Sequence, residues 1–481
     1  MKRSLLCLFF GLVLLTGCPR ESSDEQPVKR PLEGLTLRLA VADDPGLAAA
    51  VVRLRGEWNA QTGAELQVRP VAEKDLLDAQ ALPADAVLCA SHLLGPLAER
   101  KLLAAVPKAI LSSPQWGDIF ELLKLREAAW GRQIMAVPFG SPVLTCYYRA
   151  DLLEKLHHKP PRSWTDYEAL AKLLAAQKPA GGGPWCGTIE PLGPGWAALV
   201  LLARAAAYAK HRDHYSALFN VETMEPLVAG PPFVHALEKL AAATKLGPAN
   251  PLGYDPVTAR SAFWSGQCGM ALAWPTAAKP EKAEGGKQKA ELIPDKVDPQ
   301  IRVGFSELPG ASRVFNLSNR AWDVRGDDDD SRVPLLGIAG RLGVVAAKSE
   351  HREAAFQLLL WLSDSRTSPQ VSAASAATTL FCRSQLKLPS LWVEKPATAA
   401  AVQYGDATEA ALRHEQWLGA LRLPGRAEYL AALDEAVAAA VRDGKPPQEA
   451  LLLAEKKWRE ITARLGIERQ RAAYRHSLGL E

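Results

Sequence analysis

The sequence predicts an α/β protein that opens on a parallel sheet, and three neighbouring stretches carry that prediction. Leu35, Leu37, Leu39 and Val41 alternate with polar or small residues at the period of a strand. After Asp43-Asp44-Pro45-Gly46 the apolar spacing widens to Leu47, Val51, Leu54 and Trp58, one face of a helix that ends near Gly63. Residues 66–71 then read as a second strand. Strand, helix and strand form a βαβ unit, whose strands run parallel and whose crossover is right-handed.

Later elements follow in order. Residues 85–90 are a short apolar run of the fully buried kind, emptying into Ser91-His92 and a helix through Arg100. Residues 134–137 form another short strand, stopped by Pro138. Beyond Leu144 the pattern changes. A helix begins at 152–156, Pro160-Pro161 breaks the chain, and Thr165 with Glu168 reads as a capping box for a helix to about Gln177. Residues 197–210 are a long apolar helix, buried on several sides. Residues 279–296 read as a solvated insertion, and the four acids at 327–330 as a surface loop without calcium-loop spacing. Residues 350–481 are Ala- and Leu-rich and mostly helical.

Composition narrows the function classes. The chain has 481 residues, 48% hydrophobic and 23% charged, which is enough for two or more folded domains. A net charge of +4 over this length leaves no electrostatic footprint for nucleic acid. Five cysteines follow the first 18 residues: Cys89, Cys146, Cys186, Cys268 and Cys382. None has zinc-site spacing, so no metal is expected, and a Cys186–Cys268 disulfide is one option beside buried free thiols. There is no Walker A, no H-E-x-x-H and no G-x-S-x-G, since residues 304–308 lack the final Gly. No enzyme, catalytic residue or cofactor is expected.

The leader is the most specific local signal. Lys2 and Arg3 precede an apolar stretch at 5–15, too short to span a bilayer, and Leu15-Thr16-Gly17-Cys18 resembles a bacterial lipobox. Residues 1–17 then form a lipoprotein signal peptide. Cys18 carries the acyl chains that hold the protein to the lipid bilayer on its extracytoplasmic, periplasmic side. Residues 18–34 form a flexible tether.

Six motifs occur in the order of one family. Ala136-Val137-Pro138-Phe139-Gly140-Ser141 is followed by Cys146-Tyr147-Tyr148-Arg149-Ala150-Asp151-Leu152-Leu153 and by Pro161-Arg162-Ser163-Trp164-Thr165-Asp166-Tyr167. Trp58-Asn59-Ala60-Gln61-Thr62-Gly63 precedes them. Phe263-Trp264-Ser265-Gly266-Gln267-Cys268-Gly269-Met270 and Gly340-Arg341-Leu342-Gly343-Val344-Val345 come after. Across roughly residues 35–365 the chain resembles extracellular solute-binding proteins of family 1, the sugar-type receptors of ABC importers. The resemblance implies a two-lobe, type II periplasmic-binding-protein fold, with a ligand cleft between lobes joined by a multi-strand hinge. By that analogy residues 35–138 and 273–336 form the first lobe, and 142–270 and 340–481 the second. It also implies a monomeric receptor that hands a small solute, a carbohydrate, to ABC permease subunits. A sensor or interaction lipoprotein on the same scaffold is the alternative.

Ligands in such sheets sit at the carboxyl ends of the strands, in the crevice between lobes. Sugars need fixed donors and acceptors for hydroxyls and flat rings for C–H faces. Asp43, Ser91 and Ser141 stand at strand ends or the hinge, although Asp43 could instead cap a helix and Ser91 could bond only backbone. Glu190 and Trp196 resemble a sugar-contacting stretch of the family's maltodextrin receptors, but Leu192 and Gly193 replace an aromatic found there. Trp274 follows a strand and should stand half exposed at the cleft rim. Trp185 and Trp322 lie in Gly-rich or polar loops. Arg341 replaces a family Gly, where it would grip a ligand carboxylate or hydroxyl pair, or bridge the lobes.

Overall fold

The computed structural model describes residues 30–177, 183–278, 297, 300–326 and 331–481. Cys18 with its leader, most of the tether, the 279–296 insertion and the acids at 327–330 lie outside the described residues.

Two sheets organise the chain. In the first, Thr36–Ala42 lies between Glu65–Val71 and Ala86–Ala90, parallel to both. Arg341–Val345 pairs antiparallel with Ala86–Ala90, and Val137–Pro138 pairs antiparallel with it. The crossover helix Pro45–Thr62 starts where the Asp44 carboxylate accepts the Leu47 amide at 3.0 Å and Pro45 fixes φ. It stops at Gly63, whose φ of +82° suits a residue without Cβ. Leu47, Val51, Leu54 and Trp58 are its buried face, as the spacing predicts.

In the second sheet the order is Val303–Glu307, Thr145–Arg149, Cys268–Ala273 and Cys186–Ile189, the last pair parallel and the others antiparallel. Every residue of the helix Ala197–Ala209 is buried, since Pro231–Thr244 and Arg426–Val441 pack against it. The helix Trp164–Ala175 does carry a capping box, but Ser163 and Asp166 form it, not Thr165 and Glu168. All five described cysteines are free and buried, Cys186 and Cys268 being register partners rather than a disulfide.

The strands at 303–307 and 341–345 sit in the opposite lobes from those expected, while the helices at 401–411 and 426–441 pack on the second lobe. Residues 303–307 extend the second sheet, and residues 341–345 complete the first. The reason is pairing: each late strand is antiparallel to a strand more than 150 residues earlier, which local periodicity cannot register. The chain therefore crosses between sheets at 139–144 and again at 308–340. It crosses a third time after the helix Arg352–Leu362, which packs on the first sheet, whereas Ala401–Ala411 packs on Val303–Glu307.

Candidate ligand cleft between the lobes

The strand ends that face the crossings gather the candidate residues. In the first sheet, Thr36–Ala42 delivers Asp43 and Asp44, Ala86–Ala90 delivers Ser91, and Arg341 pairs in register with Ala90. Asp44, not Asp43, caps the helix, while the Asp43 carboxylate accepts the Glu73 amide at 3.0 Å. Arg341 donates to Asp44 at 2.9 Å. The Ser375 hydroxyl donates to the same carboxylate oxygen at 2.5 Å. Next to Ser375, the Ala376 carbonyl accepts the Trp274 indole N–H at 3.0 Å. Trp274 ends the strand Cys268–Ala273 of the other sheet and packs 5.6 Å from Trp196. A polar wall of the first lobe thus meets an aromatic wall of the second along residues 375–376.

Beside this seam, Glu73 and His92 are hydrogen-bonded, and Arg426 approaches from the second lobe. Burial works to raise the Glu73 pKa, but the His92 bond and the charges of His92, Arg341 and Arg426 hold it below the ordinary carboxylate value. Trp274 is 5% exposed, not the half-exposed rim residue expected, because Trp196 and the 375–376 segment cover its ring. Trp196 is half-buried.

Ser91 and Ser141 lie deeper, at the hinge. Both hydroxyls donate to the Ala339 carbonyl, at 3.1 and 2.9 Å, and Ser141 also donates to Glu127 at 2.7 Å. Glu127 is buried, with its second carboxylate oxygen unpartnered. The nearby Arg422 guanidinium donates to the backbone carbonyls of Arg126, Glu127 and Ala129 and to that of Ser477. Glu127 and Arg422 escaped the sequence reading because they lie far apart in the chain and in no motif.

Burial pushes the Glu127 carboxyl up to about 7 from its ordinary 4.5, against the lowering pull of Ser141, Ser91 and Arg422. The folded state therefore holds this proton more tightly than the unfolded chain. Its stabilising contribution is complete below about pH 4.5 and is lost as pH rises through about 7, a loss of roughly 3 kcal/mol. Glu127→Gln should remove that slope. Urea midpoints of both proteins at several pH values across the window check this, and a constant difference between them would contradict it.

Three expected ligand residues stand elsewhere. Trp185 precedes the strand Cys186–Ile189, at the end remote from the cleft, and its indole N–H caps the Leu174 carbonyl at 2.9 Å. Glu190 does follow that strand, but its carboxylate turns inward to Arg204 at 2.6 Å. Trp322 lies on the hairpin Arg313–Asn316/Ala321–Val324, beside Tyr208 near the far end of helix Ala197–Ala209. Arg341 is tied to Asp44 within its own lobe, so it does not bridge the lobes. Among the described residues no cluster of three or more metal-ligating side chains occurs, and no helix is long and apolar enough to cross a membrane.

Two α/β lobes, a chain that crosses between them three times and side chains gathered where the sheets face each other define a two-lobe binding protein of the periplasmic type. Residues 43–367 match the bacterial extracellular solute-binding protein family, and the chain belongs to it. Its class is that of binding receptors, not enzymes. No curated protein matches it in sequence.

Solved structures are similar in fold. The sugar-binding protein MalE of Xanthomonas citri has 18% identity and a TM-score of 0.64, covering 89% of this chain and 98% of its own. Maltose-bound MalE3 of T. maritima has 16% identity and a TM-score of 0.63, covering 89% and 100%. An ABC transporter solute-binding protein of Agrobacterium radiobacter K84, in complex with ribitol, has 18% identity and a TM-score of 0.61, covering 90% and 100%.

Proposed function

We propose that the protein captures a carbohydrate or polyol between its lobes and delivers it, as a monomer, to an ABC import permease from a lipid anchor at Cys18. The observation that carries this reading is the meeting of the Asp44–Arg341–Ser375 cluster with Trp196 and Trp274 at the facing sheet ends. Charged and hydroxyl groups that fix orientation, set against flat rings, are what a polyhydroxylated ligand requires. The sugars and the ribitol named for the similar structures agree with that chemistry. Asp43, Asp44, Trp196, Trp274 and Arg341 are the contacts we assign, with Ser91 and Ser141 setting the hinge. Trp185 and Glu190 are not assigned to the ligand.

A thermal-shift screen against sugars, polyols and amino acids tests the reading. Ligand at about 100 times Kd stabilises by roughly 2.7 kcal/mol. Stabilisation by amino acids alone would redirect the assignment. The anchor has its own test. Cys18→Ala should release unprocessed or soluble protein, because no described helix supplies a second membrane signal. Mature-sized variant that still fractionates with membranes would refute the lipobox.

A further inference from the structure

We propose that a groove on the second lobe, separate from the cleft, is a second carbohydrate site that takes the end of a neutral oligosaccharide. The groove encloses about 580 Å³ between helix Pro231–Thr244 and the hairpin that carries Trp322. That volume suits one or two sugar rings. Trp196 stands at the cleft end of helix Ala197–Ala209 and Tyr208 twelve residues on, so the two sites are about 18 Å apart along its axis.

Its lining has the two halves of sugar recognition. Trp322 and Tyr208 give aromatic surface, their ring centroids 6.2 Å apart and nearly perpendicular, with His235 4.9 Å from Tyr208. Tyr208 is only 6% exposed, yet its hydroxyl has no hydrogen-bond partner among the described residues. That hydroxyl is not a buried orphan but opens on the groove, where it is free to donate to and accept from a ligand. Arg313 is exposed and in no ion pair among the described residues, its guanidinium held 5.6 Å from the Trp322 ring centroid. A fork of N–H donors beside an indole suits two adjacent ring hydroxyls.

The charges of the lining balance as a whole, the Arg313 guanidinium offsetting the Glu238 carboxylate. Lys239 pairs with Glu168 at 3.0 Å, and His235 lies 3.7 Å from Glu238 with its pKa lowered by burial. The lining therefore favours an uncharged, hydroxyl-rich ligand over an ionic one.

Titration calorimetry on the mature protein with maltohexaose, cellohexaose, laminarihexaose and mannohexaose tests the site. At least one should bind with an affinity that falls about tenfold in Trp322→Ala. Tyr208→Phe should weaken it about fivefold while leaving the melting temperature unchanged, since that hydroxyl bonds nothing in the protein. Arg313→Gln, at an exposed position, should weaken it without a folding cost. Trp196→Ala, at the cleft, should leave this binding intact even if it abolishes capture of a small sugar. The proposal fails if none of the four oligosaccharides binds. It fails equally if binding survives in all three groove variants, or if Trp196→Ala alone removes it.

Discussion

Glu190→Ala is expected to destabilise the protein by about 3–5 kcal/mol, the cost of breaking a buried ion pair by removing one partner. The side chains of Glu190 and Arg204 are 3% and 1% exposed, and the pair is 2.6 Å long. Arg204 projects from a helix in which every residue is buried, with its guanidinium 3.9 Å from the Trp164 ring centroid. Without the carboxylate that charge keeps only aromatic faces, which do not replace an anion. The pair itself is not an efficient source of stability, since Glu190 Oε2 and Arg204 Nε are buried without partners. A Glu190→Leu/Arg204→Met double variant should therefore regain most of the loss, because well-packed apolar pairs match or exceed buried ion pairs. Urea unfolding of the single and double variants measures both effects. A single variant within about 1 kcal/mol of the parent would mean that water reaches Arg204, and the core assignment of Glu190 would fall.

Glu190 also shows what the sequence carried. Its likeness to a sugar-contacting stretch was legible, though no periodicity marked the four-residue strand Cys186–Ile189 before it. Its direction was not, since that depends on Arg204 lying one helix away and on Trp164 beneath it. Arg341 failed in the same manner. Its position in a strand could be read, but not the sheet that the strand joins, which is set by pairing with Ala86–Ala90 some 250 residues earlier. The opening βαβ unit was legible throughout because its strands and helix are contiguous and their periods differ. The hinge acid Glu127 and the segment at 375–376 left no pattern at all. Glu127 acts through Ser141, 14 residues on and in no shared motif, and Ser375 and Ala376 act through one contact each with residues 331 and 102 positions away.

Trp274→Ala should cost about 3–5 kcal/mol, the range for truncating a large buried aromatic. A half-exposed rim indole would lose far less, and Trp274 is 5% exposed. Its N–H holds the Ala376 carbonyl at 3.0 Å, and its own carbonyl accepts from Arg260 at 2.7 Å. Removing the ring opens a cavity against Trp196 and frees the segment that also donates Ser375 to Asp44. The same substitution therefore loosens the contact between the lobes, and small-angle scattering should show a larger radius of gyration. Trp274→Phe separates packing from binding. It retains most of the apolar volume and loses one hydrogen bond, at a cost of about 1 kcal/mol. With Trp274 covered and Trp196 half-buried, a sugar ring meets Trp196 first. Affinity for a cleft sugar should accordingly fall further in Trp196→Ala than in Trp274→Phe. The reverse order would make Trp274 the stacking platform. A Trp274→Ala protein that melts with the parent would place the indole outside the core, because no truncation of a packed ring of this size is neutral unless the site collapses fully around the gap.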